Sequence, residues 1–88
     1  MYMGVDKKAF KKKLEEVHTF PTLYMFKFIV PKEQLEKVEI LFPKNDLIQK
    51  PSSGGKYIST TAQVMVSSSD QIIDIYERAQ SIEGLIAL

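Results

Sequence analysis

The chain contains no cysteine. That excludes a disulfide scaffold, a thiolate metal site and a thiol nucleophile. It holds one histidine, His18, and one arginine, Arg78, so a histidine-rich metal site is excluded as well. No apolar run approaches the roughly 20 residues of a membrane-spanning helix. The opening residues, MYMGVDKKAFKKK, carry neither the apolar stretch nor the small-residue cleavage site of a signal peptide. A soluble cytoplasmic protein is the expectation. Net charge is only +1, too little for a global field that attracts nucleic acid. The charge is slightly uneven along the chain: five lysines within residues 1–19 face Asp6, Glu15 and Glu16.

What is present fits one small domain. The chain has 88 residues, 44% of them apolar, enough for a globular core. Phe10, Leu14 and Val17 recur at helical spacing, with Val5 and Ala9 extending the stripe, so a helix is predicted from Asp6 to His18. Asp6 is its N-cap, and Pro21 stops it. Leu23 to Val30 reads as a strand. Tyr24, Phe26, Phe28 and Val30 line one side; Leu23, Met25, Lys27 and Ile29 line the other. Apolar residues on both sides predict a central strand, and Lys27 predicts that its own side reaches solvent. A second helix follows from Lys32 to Phe42, with Leu35 and Val38 buried and Glu33, Glu36 and Glu39 ion-paired on the wet side.

A short strand, Leu47 to Ser52, carries Pro51 and so belongs at an edge. Ser53-Gly54-Gly55-Lys56 is a turn. The next strand, Lys56 to Val66, alternates along its whole length, with Ile58, Thr60, Ala62, Val64 and Val66 inward. Ser68 with Gln71 fits a capping box for a third helix lined by Ile72, Ile73, Tyr76, Ala79 and Ile82. Gly84 sits where a helix C-terminal glycine belongs. Leu85 to Leu88 suffices for a last strand. The order after the first helix is β-α-β-β-α-β. The fold expected is α+β: a ferredoxin-like sandwich with an antiparallel four-stranded sheet and an additional N-terminal helix. Residues 1–19 form the helical extension and residues 20–88 the sandwich.

Phe20-Pro21 before the first strand, KPSSGGKYIS from Lys50 to Ser59, and the short final strand resemble the YbeD-like family of small bacterial proteins of unknown function. Lys50-Pro51-Ser52-Ser53 with Gly55, Tyr57 and Ser59 carries most of the likeness. The resemblance implies a ferredoxin-like fold similar to ACT-type regulatory domains, which bind amino acids or other small effectors. ACT domains commonly place a glycine in the turn after the first strand; here that turn is Val30-Pro31-Lys32, and Pro31 removes an N–H donor.

The candidate binding site is Lys50, Ser52, Ser53, Gly54, Gly55, Lys56 and Tyr57. Glycine N–H groups can form an anion nest to which the lysines and hydroxyls add donors. The plainer reading is a tight hairpin with solvated lysines. A phosphate-binding P-loop would need an earlier glycine and a following helix. Lys7, Lys8, Lys11, Lys12 and Lys13 read as a solvated helix face, and His18 as a helix C-terminal cap. An acylphosphatase would need an arginine near the first strand–helix turn, and no serine sits in a nucleophile motif. A non-enzymatic binding or regulatory module without cofactor is therefore expected, acting through its sheet face or the Ser53–Lys56 hairpin. Its partner would be a protein or a small anionic effector, and a homodimer through the sheet face is one arrangement the architecture allows. An RNA-binding domain is the alternative, although Tyr57 is the only aromatic platform on the outer side of the third strand.

Overall fold

The computed structural model describes residues 6–88. Its elements are α1 Lys7–Val17, β1 Thr22–Pro31, a 3₁₀ turn Lys32–Gln34 leading into α2 Leu35–Leu41, β2 Ile48–Pro51, β3 Tyr57–Val66, α3 Ser69–Ala79 and β4 Ile86–Ala87. The four strands form one antiparallel sheet in the order β2-β3-β1-β4. This is the ferredoxin-like βαββαβ sandwich with a helix added at the N-terminal side. Pro51 lies on the edge strand, where its missing N–H breaks no ladder.

Strand alternation builds the core. Phe26, Phe28 and Val30 from β1 and Ala62, Val64 and Val66 from β3 point to one side. There they meet Val38 of α2 and Ile72, Ile73 and Tyr76 of α3. Leu14 of α1 joins the same cluster, with Phe10 packed against it, so all three helices share one side of the sheet. Tyr76 is the hub: its ring lies 5.4 Å from Phe26, 5.8 Å from Phe28 and 5.7 Å from Phe10. Such ring pairs add about 0.5–1.5 kcal/mol beyond the area they bury. The Tyr24 and Tyr76 hydroxyls satisfy each other at 3.0 Å, and the buried Thr60 hydroxyl donates to the Phe28 carbonyl at 3.0 Å.

The helix ends follow local chemistry. The Asp6 carboxylate accepts from the Lys8 N–H, and the Ser68 hydroxyl accepts from the Gln71 N–H. The Gln71 side chain reaches back one residue further than a capping box requires, accepting from the N–H and hydroxyl of Ser67. Helix α1 lies antiparallel to α3, held by Lys7–Glu77 at 3.2 Å, Lys11–Asp70 at 3.0 Å and a Ser69 hydroxyl donating to Glu15.

Several sequence expectations need correction. Val17 shares the stripe of Phe10 and Leu14 but is exposed. Helix α3 begins at Ser69, opposite Glu15, so the last turn of α1 overhangs it. Ala9 is also exposed, and Val5 lies outside the described residues. Glu33, Glu36 and Glu39 are exposed, but among the described residues none makes an ion pair. Glu33 sits in the 3₁₀ turn, whose tighter winding breaks the four-residue spacing to Lys37, and Glu39 accepts from Gln49 instead. Gly84 does not end α3, which stops at Ala79 with Gln80 as its cap. It serves the turn into β4 with φ +78°, and a Cβ there would lie 2.7 Å from Pro31 Cγ. His18 is the C-cap of α1 through its N–H to Leu14, but its ring packs on Tyr24, 5.6 Å away. By contrast, β1 is central and its Lys27 side faces solvent, both as expected.

Two predictions follow from this core. Phe28→Ala should lower stability by about 3–5 kcal/mol in urea titration, because a fully buried ring is removed from an aromatic cluster. A variant as stable as wild type would mean that the inner side of β1 is wrongly assigned. The second concerns alkaline pH. Burial, together with the hydrogen bond to Tyr24, holds the Tyr76 phenol well above the usual tyrosine range. An unfolded phenol ionises near pH 10, so the contribution of protonated Tyr76 is complete below about pH 10 and is lost as pH rises above it. Tyr76→Phe should start less stable and decline less steeply than wild type above about pH 10. Parallel decline would show that Tyr76 does not set the alkaline limit.

Candidate functional site

The side of the sheet opposite the helices is built by the alternate residues of the same strands. On β1 these are Leu23, Met25, Lys27 and Ile29, each set by register beside a β3 residue: Leu23 by Met65, Met25 by Gln63, Lys27 by Thr61 and Ile29 by Ser59. The β2 register sets Ile48 beside Thr61 and Lys50 beside Ser59. On the other flank Ile86 lies beside Ile29, and the Leu88 N–H donates to the Lys27 carbonyl at 2.9 Å.

No described element covers this side. Leu23 is 53% exposed, Met25 54%, Met65 62%, Ile48 68% and Ile86 53%. One apolar cluster, Leu23, Met25 and Met65, occupies the end where β1 begins. Another, Ile29, Ile86 and Tyr57, occupies the end where β1 finishes. The Lys27–Thr61 row runs between them. Scattered exposed apolar residues are ordinary, but here two clusters share one uncovered flat face, and grouped exposure of that kind marks an interaction surface.

The hairpin meets this face at its second end. Lys50 and Tyr57 both point outward and are diagonal neighbours across β2 and β3, roughly 7–8 Å apart at their Cα atoms in such a ladder. The remaining hairpin residues divide into two roles. Ser52 closes the turn: its N–H donates to the Tyr57 carbonyl, its carbonyl accepts from Gly55, and its hydroxyl accepts from the Tyr57 N–H. Gly55 supplies the φ of +73° that the turn needs. The N–H groups of Ser52, Gly55 and Tyr57 are thus spent within the turn rather than presented to an anion. Ser53, Gly54 and Lys56 stand exposed at the tip, where nothing in the backbone requires glycine at 54. The Lys56 carbonyl accepts from the Lys32 N–H at 2.9 Å, tying the hairpin to the end of β1.

An open groove of about 410 Å³ borders the face beside β2, lined by Lys44, Asn45, Asp46, Ile48, Thr61 and Gln63. It exists because β2 pairs with β3 only as far as Ile48–Thr61. Beyond that point the Asn45 amide covers the edge of β3 by donating to the Gln63 carbonyl at 3.2 Å. Among the described residues no group of histidine and carboxylate side chains could hold a metal ion, and no helix is long and apolar enough to cross a membrane.

Sequence reasoning named Lys50 and Tyr57 and missed Leu23, Met25, Met65 and Ile86. The signal was present in the alternation of β1 and β3. Apolar residues on both sides of β1 pointed to a central strand and the sheet face to a place of action, but alternation alone does not say which outward residues stay uncovered. If these residues serve docking and not folding, Leu23→Thr and Met65→Thr should each change stability by no more than about ±0.5 kcal/mol in urea titration. Threonine keeps β-propensity, so a loss like that of Phe28→Ala would show the two residues to be part of the core.

No curated protein and no solved structure matched the chain. A family match runs over residues 15–88, from the last turn of α1 through the whole sheet and both crossover helices. The chain belongs to the family described as protein of unknown function (DUF493).

Proposed function

We propose that this chain is a non-enzymatic binding domain that docks a protein partner on the outer face of its sheet. The observation that carries this reading is the half-or-more exposure of Leu23, Met25, Met65, Ile48 and Ile86 on a face that no described element covers. Two of these are methionines, whose flexible thioethers adapt to a partner's contours. The strands beneath them are held in register by a packed core, which makes the face a rigid platform. The resemblance of the Lys50–Ser59 segment to YbeD-like proteins, and through them to ACT-type regulatory domains, agrees with a binding or regulatory role. RNA binding is less well supported, because among the described residues Tyr57 is the single aromatic ring on the face and base stacking needs several.

The test is site-specific photo-crosslinking in cells. A photoreactive residue replacing Met25 should give discrete protein adducts, and the same residue replacing Asp74 on the exposed side of α3 should give none above background. Adducts from Asp74 but not from Met25 would place the interaction on the helices and contradict the proposal.

A further inference from the structure

The outer face differs from the rest of the molecule in charge as well as in polarity. Lys27 and Lys50 stand on it, Lys44 lines the groove beside it, and Lys56 sits at the hairpin tip next to Tyr57. Among the described side chains, Asp46, in the groove, is the only carboxylate of this region. The remaining acids cap or lie on helices or the 3₁₀ turn, except Glu83 in the connection into β4. The three ion pairs among the described residues all lie on the helical side, where Lys8, Lys12, Lys13, Lys32 and Lys37 nevertheless make none. Lys7, Lys11 and Arg78 are paired on the helical side, whereas among the described residues none of Lys27, Lys44, Lys50 and Lys56 makes an ion pair. The net charge of +1 therefore conceals a basic sheet face, with four lysines against Asp46, set beside a helical side whose eight basic and ten acidic residues nearly cancel.

We infer that the occupant of this face is an acidic amphipathic segment of a partner protein. Its apolar residues would lie on Leu23, Met25 and Met65, and its carboxylates on Lys27 and Lys50. This rests on the reading of the outer face as a protein-docking surface and adds the chemistry of the partner. Charge complementarity selects it. Lysines with no partner of their own gain Coulomb attraction from incoming carboxylates, and that attraction grows as docking excludes water. A second copy of the chain would set one lysine-bearing face against another, and like charges in contact are penalised. A lipid surface is a poorer fit. The apolar residues are split by Lys27 and by the polar stripe Ser59, Thr61 and Gln63, which insertion into acyl chains would bury without partners. Facing a peptide, the same stripe offers hydroxyls and an amide to its polar groups.

The experiment pans a displayed random library of peptides about 16 residues long, enough for a helix of ~24 Å along the face. The purified domain is the target, and binding of the enriched peptides is then measured by calorimetry. The expected sequences combine leucine, isoleucine or phenylalanine with an excess of Asp and Glu over Lys and Arg. Their affinity should fall about tenfold or more in the double variant Lys27→Glu, Lys50→Glu, as expected for reversal of two interfacial charges. It should stay unchanged in Lys12→Glu, Lys13→Glu on α1, with folding of both variants checked by urea titration. Enriched peptides that are neutral or basic, yet lose binding with Leu23→Thr and Met65→Thr, would overturn the acidic preference and leave the docking face standing. Peptides indifferent to both sets of changes, or no enrichment at all, would overturn both readings. Tighter binding of anionic vesicles or single-stranded RNA than of any selected peptide would overturn the inference in favour of those ligands. So would concentration-dependent dimerisation lost in Leu23→Thr, Met65→Thr, which would make a second copy the occupant.

Discussion

The antiparallel pairing of β1 with β3 is the constraint on which everything else depends. Ten residues of each strand align without a bulge, from Thr22–Val66 to Pro31–Tyr57. Side chains alternate across a sheet, so this one register decides which residues are core and which are surface. A slip of one residue would turn Phe26 and Phe28 to solvent and bring Lys27 into the core. Such a slip forfeits about 1.5–3 kcal/mol for each large apolar side chain left unburied and adds the cost of an unpaired charge. Thr60 strengthens the choice, since its hydroxyl reaches the Phe28 carbonyl only in the observed alignment. The helices then cover the inner side, and the outer side receives whatever the alternation leaves.

That alternation explains how much was legible beforehand. The inner face could be read residue by residue, because Ile58, Thr60, Ala62, Val64 and Val66 follow a strict period of two, and the face of α3 follows a clear helical period. Features set by where one element ends against another were not legible. Val17 keeps the right helical phase but has no α3 residue opposite it. Gly84 looked like a helix cap because it follows a helical pattern, but its role depends on Pro31, more than fifty positions earlier, pressing against its Cα. The outer face was legible only as a possibility, for a different reason. Composition shows that Leu23 and Met25 are apolar but says nothing of what covers them, and burial and docking leave the same mark in a sequence.

Charge was hidden in a similar way. Counted along the chain, the excess of lysine near the N-terminus looked slight and uninformative. Of those five, Lys7 and Lys11 turn out to bridge α1 to α3, whereas Lys27, Lys44, Lys50 and Lys56 on and around the sheet face make no ion pair among the described residues. Folding sorts charges that the linear order mixes, so the polarity between sheet face and helical layer appears only in three dimensions. The hairpin shows the same sorting on a smaller scale. Ser52 and Gly55 are explained by the turn itself, while Lys50 and Tyr57 are carried by the strand register onto the outer face.

The central claim is that the isolated domain holds its outer sheet face open to water while its inner face is sealed. Methyl NMR with a soluble paramagnetic chelate measures this directly. The account predicts strong broadening of the Leu23, Met25, Met65 and Ile86 methyl signals, with those of Val30, Val64 and Ile72 protected. Protection of the Leu23, Met25 and Met65 methyls in the monomer would contradict it, since some part of the chain would then already occupy the face.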